Sequence, residues 1–178
     1  NRAALYSGKA LDFDGVNDSV STSLALTSDE VSISFYLNWD DVGTQNIGFI
    51  CEGSANDKMM IHTGAGGAGV NGLQIALNVT NYSVPQIISE GWNHYLITSN
   101  RTNLNIYKNG VLFDSRTTDA GAVGITALTL GIRPIGSAYV LDGKLSNFKV
   151  FNTALTAAQI ADLYNNPEKI VPTGVDNT

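Results

Sequence analysis

Glycosidic bond cleavage needs two carboxyl groups facing each other across a cleft, about 5–5.5 Å apart for retention or about 6.5–9.5 Å for inversion. The chain of 178 residues has four glutamates, Glu30, Glu52, Glu90 and Glu168. Glu168 is close to the C-terminus, Glu30 and Glu90 stand at strand-entry turns, and Glu52 alone sits near a strand, at a hairpin end. Asp40 and Asp41 form a loop pair, but neighbours on an extended chain point to opposite sides. The E-x-D-x-x-E strand pattern does not occur. A hydrolase would have to be built on Glu52 or Asp41, and no complete set accompanies them. Cys51 and His62 form a nucleophile–base pair on paper. If their hairpin closes on Gly53–Asp57, Cys51 faces Met59 and His62 lies about three rungs away. At ~3.3 Å per residue that is ~10 Å, beyond hydrogen-bond reach. His94, on the strand face of Trp92, reads as a packed or hydrogen-bonded histidine.

Other residues suggest binding. Gly64 to Gly69 spell G-x-G-x-x-G after a strand, but the alternating Leu73–Val79 run follows where a phosphate-binding motif needs a helix. That stretch reads as a loop. Asp12, Asp14, Asn17 and Asp18 offer clustered oxygen ligands of the kind calcium takes, in a segment whose Asp14-Gly15 and Asn17-Asp18 pairs also have turn chemistry. Trp39, beside Asp40 and Asp41, is a candidate platform for the C–H face of a sugar, as are Tyr82 and Tyr139 near loops. Sequons begin at Asn17, Asn78, Asn81 and Asn100, and acquire meaning only where the producing cell glycosylates.

Composition narrows the classes further. Charged residues are 15%, against a usual ~25%, and the net charge is −6. A nucleic-acid groove needs clustered Lys and Arg, and anionic membrane surfaces repel an acidic chain, so neither partner is expected. One cysteine excludes an intrachain disulfide and a paired-Cys metal site. No apolar run approaches a membrane span. The chain starts without Met and ends in a polar stretch, so it is expected to be a piece of a longer protein.

The elements that must position these residues are strands. Val31, Ile33, Phe35 and Leu37 alternate with polar residues, predicting a half-buried antiparallel strand, and Leu73, Ile75, Leu77 and Val79 repeat the pattern. Further runs fall at 9–14, 17–23, 46–52, 58–63, 84–88, 92–99, 102–108, 111–116, 126–132, 138–142 and 144–151. Such spacing indicates a sandwich or barrel. Asn109-Gly110 predicts a tight hairpin. Thr156-Ala157-Ala158-Gln159 predicts a capping box opening the one helix, which Pro167 stops. Residues 167–178 read as a linker or tail after a domain spanning 1–166.

Several blocks, in order over residues 9–165, resemble laminin-G-like domains of the concanavalin A-like superfamily. They are Ala10–Val20 (ALDFDGVNDSV), Val31–Leu37, Gly91–Tyr95 with Leu104–Leu112 (LNIYKNGVL), Leu128–Gly131, and Gly143–Tyr164. The resemblance implies an all-β fold: a two-sheet antiparallel jelly-roll sandwich with one short C-terminal helix. It implies a non-catalytic module that binds a glycan or a protein surface through loops on one edge or face, within a larger surface or adhesive protein. The alternative is a structural or receptor-binding domain of a bacterial-virus virion, with protein–protein contacts and a homo-oligomeric assembly. Either places the chain outside the cell, on its surface or on a virion. Some members hold a structural calcium between acids of the first and last strands. Here Ser146 and Asn147 stand where the pattern has acids, so such an ion would fall to Asp14, Asp18 and Asp142.

Overall fold

The structure, a computed structural model, describes residues 10–44, 46–54, 58–64, 68–78, 80–117, 122–134 and 139–175. Period-two alternation sets its layers. One six-stranded sheet runs in the order β1 (Leu11–Asp14), β14 (Asp142–Phe151), β4 (Val31–Trp39), β9 (Asn93–Ser99), β10 (Asn103–Lys108) and β11 (Val111–Thr117). The other runs β2 (Val20–Thr22), β13 (Leu128–Leu130), β5 (Phe49–Gly53), β6 (Met59–Thr63), β7 (Leu73–Leu77) and β8 (Thr80–Val84). A two-stranded piece pairs β3 (Leu26–Ser28) with β12 (Val123–Ile125). All the pairings are antiparallel. The chain is an all-β jelly-roll-like sandwich with one short C-terminal helix.

The inward residues of β4, Val31, Ile33, Phe35, Leu37 and Trp39, meet Ile61, Ile75 and Leu77 of the facing sheet in the central core. Phe35 packs its ring 5.8 Å from Tyr95 and 6.0 Å from Phe148. Each such side chain contributes about 1.5–3 kcal/mol by leaving water. The outward residues of β4 are buried as well, because helix α1 (Ala157–Asn165) and the segment before it cover that sheet face. Ile160 and Leu163 of α1 pack on Leu96, Tyr107, Phe151 and Leu155. Ser32 is satisfied beneath them: its Oγ donates to Thr153 O at 2.8 Å and accepts from Leu155 N at 2.9 Å. The half-buried strand expected from alternation is therefore buried on both faces.

Local signals were followed closely where they are local. Thr156 and Gln159 form the capping box, and Asn109 and Gly110 both take positive φ, 52° and 79°, as a type I′ hairpin requires. Two strand limits are corrected. Asn78 turns into the left-handed region (φ 45°), so β7 ends at Leu77 and the next strand is Thr80–Val84, not 84–88. Of the expected run 138–142, residue 138 lies outside the described residues, residues 139–141 supply only the bridge Ile132–Val140, and Asp142 opens β14. After the helix, residues 167–175 run back onto the domain. Asp162 accepts from Lys169 Nζ at 2.8 Å and from Thr173 N at 3.0 Å, and Val175 packs against the helix cluster. These hydrogen bonds, Lys169 first, hold the Asp162 carboxyl well below the usual carboxylate range.

Candidate functional site

The rim beside β1 and β14 carries the candidate site. Asp14 and Asp142 are partners on one rung of that pair. Gly15 then turns at φ 73°, a conformation that favours glycine, and a Cβ there would stand 3.0 Å from that of Asp142. Where β4 ends, Asp40 N donates to Asp142 O at 3.1 Å, and a turn closed by Thr44 N to Asp41 O brings Asp41 to the same place. The result is a cleft of about 460 Å³, lined among others by Asp14, Asp41, Asp142, Asn46, Ile47 and Tyr139. Its volume is in the range of small-molecule sites, roughly 300–1,000 Å³. Burial, then the charges of Asp41, Asp40 and Asp14, push the Asp142 carboxyl upward. Lys144, two rungs along the same pair, reaches its own rung partner Asp12 at 2.7 Å.

Of the expected ligand residues, Asp41 and Tyr139 line this cleft, while Asp40 stands beside it as a charge on Asp142. Tyr139 is 38% exposed. Trp39 and Tyr82 are corrected: they are 2% and 5% exposed and belong to the central core, so neither presents a face to a sugar. Trp39 ends β4 as expected, but as its last inward residue, still in register with Gly143. Sequence reading missed Asn46 and Ile47, which lie before β5 in a loop with no motif.

The expected calcium ligands do not fit a cation cage. Asp18 Oδ2 accepts from Asp14 N at 3.1 Å, and Asp14 Oδ1 accepts from Val16 N at 2.9 Å, so these carboxylates close the turn at 14–18. Asp14 and Asp142 meet, but Asp18 does not line the cleft. Among the described residues no group of three or more His, Cys, Asp or Glu is placed to hold a metal ion.

The nucleophile–base pair also resolves against chemistry, for a different reason from the one expected. An irregularity between Phe49 and Cys51 sets Cys51 opposite Ile61 and Phe49 opposite His62. Cys51 faces the central core, where burial pushes its thiol well up, whereas His62 stacks on Phe49 on the outer face. Glu52 is fully buried with Arg133 Nε 3.7 Å from it and does not line the cleft with Asp41. His94 is packed and bonded: Nε2 lies 2.8 Å from Ser34 Oγ. The glycine-rich stretch leads into strand β7, and its residues 65–67, like 55–57 of the β5–β6 loop, lie outside the described residues.

The family model for the concanavalin A-like lectin/glucanases superfamily matches residues 14–161. No curated protein matches the chain by sequence. Among solved structures, a heptameric SAP-like pentraxin from Limulus polyphemus is similar at TM-score 0.69 and 17% identity, over 87% of this chain and 81% of that one. The ligand binding domain of botulinum neurotoxin serotype D, solved with N-acetylneuraminic acid, reaches 0.67 at 18% identity, over 88% and 42%. A putative carbohydrate binding protein from Bacteroides ovatus reaches 0.66 at 19%, over 86% and 46%. The chain spans less than half the length of the last two, and at these identities the likeness is one of fold.

Proposed function

Because the chain belongs to the concanavalin A-like lectin/glucanase superfamily, we propose that it is a non-catalytic glycan-binding module, displayed outside the cell, whose site is the rim cleft. The observation that carries this reading is the composition of the cleft wall. Three carboxylates and one amide accept hydrogen bonds from sugar hydroxyls, and the exposed ring of Tyr139 offers a flat apolar face to sugar C–H groups. Two similar structures, one in complex with N-acetylneuraminic acid and one of a putative carbohydrate binding protein, support the class of ligand. The crowd of carboxylates around Asp142 favours neutral saccharides over anionic ones, since an added negative charge meets like charges.

Binding of cellotetraose, laminaritetraose and triacetylchitotriose, beside a sialylated oligosaccharide, tests this reading by calorimetry and on an array. A neutral saccharide is expected to bind, to be recovered uncleaved, and to lose about tenfold or more in affinity with Tyr139→Ala. Retention unchanged by Tyr139→Ala, or no glycan bound by the folded protein, overturns it.

A further inference from the structure

We infer that Phe49 is the positioning residue of the rim cleft, the buried ring on which the Tyr139 platform is set; this rests on the glycan reading above. Phe49 is 2% exposed and touches no ligand space itself, whereas Tyr139 is 38% exposed. Their rings stack 5.9 Å apart at an interplanar angle of 19°, within the range of favourable offset pairs.

Three further contacts fix Phe49. Its ring lies 4.9 Å from that of His62 at 21°. Arg133 Cζ lies 5.6 Å from the ring centroid, a cation–π distance. Met60 and Ala76 complete the cluster, against which the cleft residue Ile47 also packs. Arg133 and Tyr139 are the two stems of one loop: Arg133 N donates to Tyr139 O at 3.0 Å, beside the Ile132–Val140 bridge. Both stems therefore bear on the same ring. An exposed tyrosine on a loop has rotamer freedom that binding would have to remove; resting it on a fixed partner removes that freedom beforehand.

The irregularity in β5 is what makes this arrangement available. Ile50 and Cys51 both enter the central core, and Phe49 is turned to the outer face beside the cleft. Strict alternation would have put Phe49 and Cys51 on the same face.

The test is a double-mutant cycle on binding of the neutral saccharides named above. Phe49→Leu removes the ring at similar volume, and Phe49→Tyr keeps it. Phe49→Leu is expected to weaken binding about fivefold to tenfold, Phe49→Tyr to restore most of it, and Phe49→Leu to add little once Tyr139 is Ala. In protein labelled with ¹³C-tyrosine, contacts between the Tyr139 and Phe49 rings are expected in the parent, and a mobile Tyr139 ring in Phe49→Leu. If Tyr139→Ala weakens binding but Phe49→Leu does not, or adds its full loss in the Tyr139→Ala background, the positioning role is overturned and the glycan reading stands. Should Tyr139→Ala leave binding unchanged, the glycan reading falls and the positioning role with it. If Phe49→Leu fails to fold, the Phe49→Tyr and His62→Leu variants carry the same cycle: a His62→Leu loss that persists in full without Tyr139 also overturns the role.

Discussion

Trp39 and Tyr139 show how aromatic residues acquire different work from their place in the fold. Both are aromatic, both stand next to acidic residues, and both read as platforms. Trp39 closes the inward row of β4 and is core; Tyr139 lies on a loop stem over Phe49 and meets solvent. Their substitutions should therefore separate. Removing a buried tryptophan leaves a cavity, so Trp39→Ala is expected to cost about 3–5 kcal/mol of folding stability. Tyr139→Ala should leave urea denaturation nearly unchanged while lowering glycan affinity. Equal midpoints for parent and Trp39→Ala in chemical denaturation would contradict the burial on which this rests. The carboxylates divide in the same way: Asp18 serves the turn at 14–18, Asp14 braces that turn and also lines the cleft, and Asp142, raised by burial and its neighbours, is held in a crowded place that a ligand donor would relieve.

At the scale of elements, the helix and the sheet beneath it are joined through a histidine. His94 of β9 lies fully buried between β4 and α1, with Ser34 at Nε2, the Tyr36 ring 4.7 Å away and Tyr164 of the helix 5.8 Å away. Tyr36 Oη also donates to Tyr164 O at 3.1 Å. Burial, helped by the charge of Lys149, pushes the His94 pKa from 6.5 down to about 3. Above pH 6.5 neither the folded nor the unfolded chain protonates this group. As pH falls below 6.5 the unfolded chain takes up a proton that the folded chain refuses, so stability declines until the native value near 3 is reached. Between pH 6.5 and 5 this histidine alone should remove about 2 kcal/mol. His94→Gln should flatten that part of the curve in urea titrations at several pH values; parallel curves for the two proteins would show that the group does not titrate as described. The same junction explains what was legible beforehand. The alternation of β4, the Asn109-Gly110 turn and the capping box obey local rules, and each formed where the residues required. Whether Ser32 and Ser34 face water depends on a helix more than 120 positions away, which no local pattern contains. The β5 irregularity is equally silent in sequence, yet it decides that Cys51 and His62 part and that Phe49 reaches the rim. Of the site, the acidic residues and Tyr139 could be named because their types carry chemistry; Asn46, Ile47 and Phe49 could not, because only the fold gives them a role.

At the scale of the whole molecule, one apolar sheet edge bears on association between copies. β11 closes one side of its sheet, and its first three residues, Val111, Leu112 and Phe113, are 70%, 50% and 46% exposed. An exposed apolar edge strand is a template for pairing with another chain. Two features oppose that here. The register skips Phe113 between the pairs Ile106–Asp114 and Tyr107–Leu112, a bulge that disturbs a flat edge. Asp114 then folds its carboxylate onto the Ser115 N–H at 2.9 Å, where it is held by Arg116 at 2.7 Å, and Arg116 in turn ties β11 to Ser83 O of the other sheet. A net charge of −6 adds mutual repulsion at neutral pH, which disappears near the sequence pI of about 4.6. Association should therefore be strongest near that pI. Asp114→Ala removes both the cap on Ser115 and one negative charge, and is expected to raise concentration-dependent association at pH 7. Phe113→Lys places a charge on the same edge and should lower it, near the pI as well. Light scattering across pH and protein concentration measures both. If Asp114→Ala scatters like the parent at pH 7 while remaining folded, the edge is not protected by this carboxylate.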